Sequence, residues 1–152
     1  MRISDDEQNY KDLDWYCVDK EGRVGHFASA GYKLIPPSVA ESAEDLNLLD
    51  EFFSSLPAAP HAHELDAHLT EQQRSERYLH SFVEMADRGL FSFDIETYPT
   101  PETCYFRVAI PKEPLRFTEL PKRIRDVLGR TSLKNSALQQ STTIPYTETL
   151  KL

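Results

Sequence analysis

The run Asp14-Trp15-Tyr16-Cys17-Val18-Asp19 constrains the fold most, because its aromatic and β-branched residues suit a pleated, half-buried strand. Lys20-Glu21-Gly22 follows, with a glycine able to take the positive φ of a tight turn. Arg23 to Ala28 then carries the chain back. An N-terminal β-hairpin is the expectation. Gly25 within the return strand marks a bulge or a close backbone approach. At 152 residues the chain is of single-domain size, large enough for one core without metal or disulfide staples.

The first dozen residues read as a frayed, polar lead-in. Past Gly31 and Pro36-Pro37, Ser42 and Asp45 resemble a capping box, and Leu46, Leu49, Phe52, Phe53 and Leu56 recur at helical spacing until Pro57. Glu44, Asp50 and Glu51 fill the other face of that helix. A polar connector over residues 58–69 leads to a second helix, with Thr70 and Gln73 as another capping box. Leu79, Phe82, Val83 and Ala86 form its apolar stripe, and Gly89 caps its C-terminal end. Phe91, Phe93 and Ile95 alternate with polar residues, as in a strand with one buried face. Thr97 to Thr103 is a turn or loop, and Cys104 to Ile110 is a central strand with Arg107 as its polar exception. A third helix spans Thr118 to Leu128, with Thr118 as cap, Pro121 in its first turn and Gly129 as its stop. From Thr131 onward the chain is irregular or adds an edge strand around Thr142 to Tyr146. The expected architecture is one α+β domain over residues 1–152, an antiparallel sheet with about three helices packed on it.

No stretch approaches the roughly 18 apolar residues of a membrane span. The N-terminus is acidic and polar, unlike a secretory signal. The two cysteines, Cys17 and Cys104, are too few for a disulfide framework, so a reducing cytoplasm is the expected compartment. The net charge of −8 is uneven: residues 1–102 hold 21 acids against 8 bases, and residues 103–152 hold 4 against 9. An acidic surface repels phosphate backbones and favours a basic partner, which disfavours nucleic acid. Arg107, Arg116, Lys122, Arg123 and Arg125 are expected to complement the chain's own acidic part.

The densest cluster of ligating side chains is His61, His63, Glu64, Asp66 and His68. Imidazole and carboxylate are donors for zinc, so His61, His63, Asp66 and His68 are candidate metal ligands, weighed against a solvated loop. Their spacing resembles the His-x-His-x-Asp-His motif of metallo-β-lactamase-like hydrolases, with the Asp and third His each displaced by one position. Cys17 and His26 lie on paired strands and are a candidate nucleophile and base, although Asp14 and Asp19 disfavour a thiolate. Asp94 and Glu96 point to one strand face, where two carboxylates can do acid–base work if burial raises one of them. There is no phosphate loop, nucleophile elbow or zinc-protease motif, and no cofactor is expected.

The segments Asp14-Trp15-Tyr16-Cys17-Val18-Asp19, Gly22, Val24-Gly25-His26-Phe27 and Gly31, with Tyr105 to Pro111, Pro114-Leu115 and Leu120-Pro121, resemble small bacterial immunity proteins encoded beside polymorphic toxins. That resemblance implies a non-enzymatic protein that neutralises one toxin domain by binding it, and carries no catalytic residues. Charge places the expected contact surface at Glu44, Asp45, Asp50, Glu51, Asp94 and Glu96, facing a basic toxin. Two other readings stand beside it. One is a small metal-dependent hydrolase built on the histidine cluster. The other is a structural or adaptor subunit, with a homodimer as one form.

Overall fold

The computed structural model describes residues 1–96 and 102–152. The hairpin forms as expected. Strands β1 (Asp14–Asp19) and β2 (Val24–Ala28) pair antiparallel, with Trp15 opposite Phe27 and Tyr16 opposite His26. Gly22 takes φ 77°, as the turn requires. The Asp19 carboxylate accepts from the Glu21 and Arg23 amides at 2.9 Å and from the distant Leu138 amide at 2.8 Å, so one side chain ties the turn to the C-terminal segment. A Cβ on Gly25 would lie 2.9 Å from Phe27 and 3.0 Å from Leu138, so the glycine permits a close approach.

Among the described residues five further strands complete one sheet: β3 (His63–Leu65), β4 (Phe91–Ile95), β5 (Cys104–Pro111), β6 (Ser132–Leu133) and β7 (Thr143–Pro145). Their order is β3-β5-β4-β2-β1-β6, with β7 also on β5. Strands β3 and β7 lie end to end along the same side of β5, at residues 109–111 and 104–106. The sheet is mixed, which corrects the antiparallel expectation: β2 runs parallel to β4, and β1 to β6. Parallel neighbours need a long crossover. Here the chain between β2 and β4 is long enough to hold two covering helices, so β4 re-enters the sheet in the direction of β2.

Six α-helices are present among the described residues, rather than about three: α1 (Asp5–Tyr10), α2 (Pro37–Ala40), α3 (Ala43–Ser55), α4 (Glu76–Asp87), α5 (Lys122–Leu128) and α6 (Tyr146–Thr149). The lead-in expected to fray is α1. Ser4 and Glu7 form a full capping box, and Ile3 and Gln8 are buried, so the chain opens on a helix and not on the hairpin. A six-residue helix is too short to show an apolar period, which is why its composition looked like a tail.

Helix α3 begins at its expected cap, Ser42 Oγ accepting from Asp45 N at 3.1 Å, and buries Leu46, Leu49 and Phe53. The reciprocal Thr70–Gln73 hydrogen bonds also form, but they close a 3-10 turn at Gln72–Arg74; Ser75 is the cap of α4. Likewise Thr118 sits in a 3-10 turn, and Pro121 is the N-cap of α5. The edge strand expected near Thr142 to Tyr146 exists as β7. The loop expected from Thr97 to Thr103 falls, for residues 97–101, outside the described residues. No helix among the described residues is long and apolar enough to cross a membrane.

One face of the sheet is built on an aromatic row. Trp15 stacks on Phe27 at 4.4 Å and Phe27 on Phe93 at 4.7 Å, and Tyr105 meets Phe27 edge-on at 5.0 Å. Each such pair adds about 0.5–1.5 kcal/mol beyond area burial. The buried polar ends are satisfied: Trp15 Nε1 donates to Tyr105 Oη, which in turn donates to the Leu34 carbonyl, both at 3.2 Å. The opposite face is covered by α3 over β1 and by α4 over β4 and β5. Phe93 was expected on a strand with one buried face; Ser92 is fully buried too, because α4 covers the second face.

Candidate functional site: two clefts across the strand ends

Helices α3 and α4 leave a cleft of about 730 Å³ between them. Its floor is the start of β1 and the ends of β2 and β4, and it is lined by four aspartates: Asp12, Asp14, Asp50 and Asp94. No lysine or arginine lines it among the described residues. Asp50 comes from α3, where sequence spacing put it on the outer face; instead it turns inward to accept from the Tyr16 hydroxyl at 2.8 Å. Asp94 accepts from the Tyr78 hydroxyl at 2.6 Å and from the Ile95 amide at 2.8 Å. Burial lifts the carboxyls of both Asp50 and Asp94 above the ordinary aspartate value, against the tyrosine hydrogen bonds that pull them down. The neighbouring Asp14 charge adds to the rise in each case.

Asp14 is held from behind. His26, only 1% exposed, places Nε2 2.8 Å from Asp14 Oδ2 and Nδ1 2.6 Å from Ser92 Oγ. These three residue types also make nucleophilic triads. Here Ser92 is fully buried, and neither the acidic cleft nor its neighbour includes it in its lining, so its hydroxyl is not placed to attack a substrate. The row instead ties β1, β2 and β4 together and fixes the Asp14 carboxylate in the cleft.

A second cavity of about 710 Å³ adjoins the first and shares Ala30, Tyr78 and Asp94 with it. It opens where β3 ends and β7 begins. In that gap Arg107, 9% exposed, donates from Nε to Asp66 Oδ2 at 2.9 Å and from Nη1 to the Leu138 and Gln139 carbonyls at 2.9 and 2.7 Å. The other Asp66 oxygen accepts from the His68 amide at 2.9 Å. The polar exception of the central strand is thus half of a buried ion pair.

The sequence-selected residues divide sharply. Asp50 and Asp94 meet in the acidic cleft, and Glu96 lines the adjoining cavity. Glu44 pairs with the N-terminal amine and Asp45 with Arg130, while Glu51 lies exposed on α3. The histidine cluster does not lie in one simple loop. His63 lies on β3 and places Nδ1 2.7 Å from Asp87 Oδ1, Asp66 is committed to Arg107, and His61 sits at φ 61° before the strand. Among the described residues, no three His, Cys, Asp or Glu side chains converge as a metal ion requires. Cys17 does not approach His26 as a nucleophile would: it lies opposite Gly25 on the other face of β1. Burial, and then Asp19, push its thiol far up. Arg107 answers an acidic residue of the first two-thirds of the chain as expected, whereas Lys122 pairs locally with Asp126.

Sequence reasoning missed Asp12, Asp14, Tyr16 and Tyr78 as parts of the cleft. The one available signal was that Asp14 and Tyr16 stand two apart on the hairpin, and so share a face. Compared with known proteins, the chain matches no family model, no curated protein and no solved structure.

Proposed function

We propose that this chain is a non-enzymatic protein-binding module of the immunity type, which neutralises a basic toxin domain by taking its cationic side chains into the cleft between α3 and α4. The observation that carries this reading is the set of four aspartates lining one concave surface that no lysine or arginine lines among the described residues. Two of these carboxyls are kept where burial penalises their charge, a pattern that belongs to sites more than to scaffolds. Lysine or arginine entering the cleft supplies the missing counter-charge. The same field steers a basic partner and repels acidic ones.

The test is affinity capture from the native cells at low and moderate salt, with the wild type beside an Asp50→Asn/Asp94→Asn double variant. Asparagine keeps an acceptor for each tyrosine while removing the charge. The expected result is one stoichiometric basic partner, lost as salt rises and lost from the double variant. A partner captured equally by wild type and by every cleft variant overturns the assignment of the surface. A partner that is acidic or a nucleic acid overturns the reading itself.

A further inference from the structure

The cavity beside Arg107 has properties of its own, although it shares Asp94 with the acidic cleft. At about 710 Å³ it is of the size that holds small ligands. Its walls include Leu69, Ile95 and Phe106, which suit an apolar or aromatic group. Beside hydroxyl and amide side chains such as Thr70, Gln73 and Thr143, its charged groups have two characters. Asp94 and Glu96 bring negative charge from the end of β4. Arg107 brings donors, but its charge is matched by Asp66, so the cavity as a whole stays negative. Nη2 of Arg107 makes no hydrogen bond among the described residues, while Nε and Nη1 are fully engaged. The guanidinium is held by Asp66 and by two carbonyls, and the Leu138 carbonyl belongs to a residue pinned in turn by Asp19. The free nitrogen is therefore presented from a rigid group, with little ordering cost left for a ligand to meet.

A simple anion does not suit this cavity, because Asp94 and Glu96 oppose it. A simple amine leaves Nη2 without an acceptor. We propose that the cavity binds an α-ammonium group with a carbonyl-type oxygen on the adjacent carbon and an apolar or aromatic side chain. The ammonium meets Asp94 and Glu96, the oxygen accepts from Arg107 Nη2, and the side chain lies against Leu69 and Phe106. That head group occurs both in a free amino acid and in the N-terminal residue of a peptide.

Calorimetric titration of the full chain with four probes tests this. L-phenylalanine and L-phenylalaninamide carry the whole head group, N-acetyl-L-phenylalanine lacks the ammonium, and phenethylamine lacks the oxygen. The expected result is binding of the first two and at least tenfold weaker binding of the others. Phenylalanine tighter than its amide points to a free amino acid, and the amide equal or tighter points to a peptide N-terminus. Glu96→Gln, an exposed change, is expected to weaken binding severalfold without altering the fold. Because Arg107→Lys risks the fold, the guanidinium resonances of Arg107 in the wild type serve as the second readout and are expected to shift on titration. Absence of binding, binding of N-acetyl-L-phenylalanine or phenethylamine within threefold of phenylalanine, unmoved Arg107 resonances, or an unchanged affinity in Glu96→Gln each overturns the proposal.

Discussion

Replacing one member of the Asp66–Arg107 pair tests what ties the segment after β3 to β5 beside the cavity. At 2.9 Å and an effective dielectric constant near 20, the gross attraction is roughly 6 kcal/mol. Both side chains are almost fully buried, at 3% and 9% exposure, and withdrawing each ion from water costs several kcal/mol. The net contribution of the pair is thus small, but stranding one member is not. Asp66→Ala leaves Arg107 with only its two carbonyl acceptors, and its expected cost is about 3 kcal/mol, the low end for breaking a buried pair. Arg107→Met strands the Asp66 carboxylate and two carbonyls together, for about 4–5 kcal/mol. The double variant is expected to lose about as much as Arg107→Met alone, so that the coupling energy is near 3 kcal/mol. Urea unfolding followed by tryptophan fluorescence reads this directly, since Trp15 is fully buried and is the only tryptophan. With a slope of about 1–3 kcal/mol/M, each single variant moves the midpoint by a molar or more. Additive losses, with coupling below about 0.5 kcal/mol, would refute the reasoning. They would mean that the carbonyls alone anchor the guanidinium.

The cleft aspartates carry the opposite sign. Because burial raises the Asp50 and Asp94 carboxyls, the folded chain holds more protons than the unfolded one just above the ordinary aspartate range, and stability falls as pH rises through that window. Asp50→Asn is therefore expected to stabilise the protein at neutral pH while weakening partner capture, and to flatten the pH dependence of the unfolding midpoint. A destabilised Asp50→Asn would show that the charge serves the fold. Gly25→Ala drives a Cβ to 2.9 Å from Phe27, so a loss of about 1–3 kcal/mol is expected in thermal unfolding. Gly89→Ala is expected to lose more, because its φ is +102° and a Cβ there would meet backbone atoms, Leu115 N at 2.9 Å and Glu113 O at 3.0 Å, as well as Leu115 Cγ at 2.8 Å. A thiol reagent is expected to label one cysteine in the native protein, the partly exposed Cys104, and both only after unfolding. Native labelling of Cys17 would place the hairpin outside the stable core.

The hairpin, the cap of α3, the end of α4 and the central position of β5 were legible because each rests on local chemistry: strand-favouring residues about a glycine turn, a serine that accepts from the amide three residues on, an apolar run. Asp50 and Asp94 could be selected from charge alone. Their meeting could not, since Asp50 is on α3 and Asp94 on β4, and they share a cleft only once α3 packs on the sheet. The same holds for Asp66 and Arg107, forty-one residues apart, which turned a run that looked like a metal motif into half of an ion pair. The sequence by itself determined the hairpin, α3, the body of α4, β4 and β5, and that the early part of the chain is acidic, but not α1, α2, α6, β3 or β6. Only the tertiary structure decided that the sheet is mixed, that four aspartates share one cleft, and that a buried arginine keeps one nitrogen free. Those outcomes depend on which residues distant in the chain are packed together, and no local pattern records that.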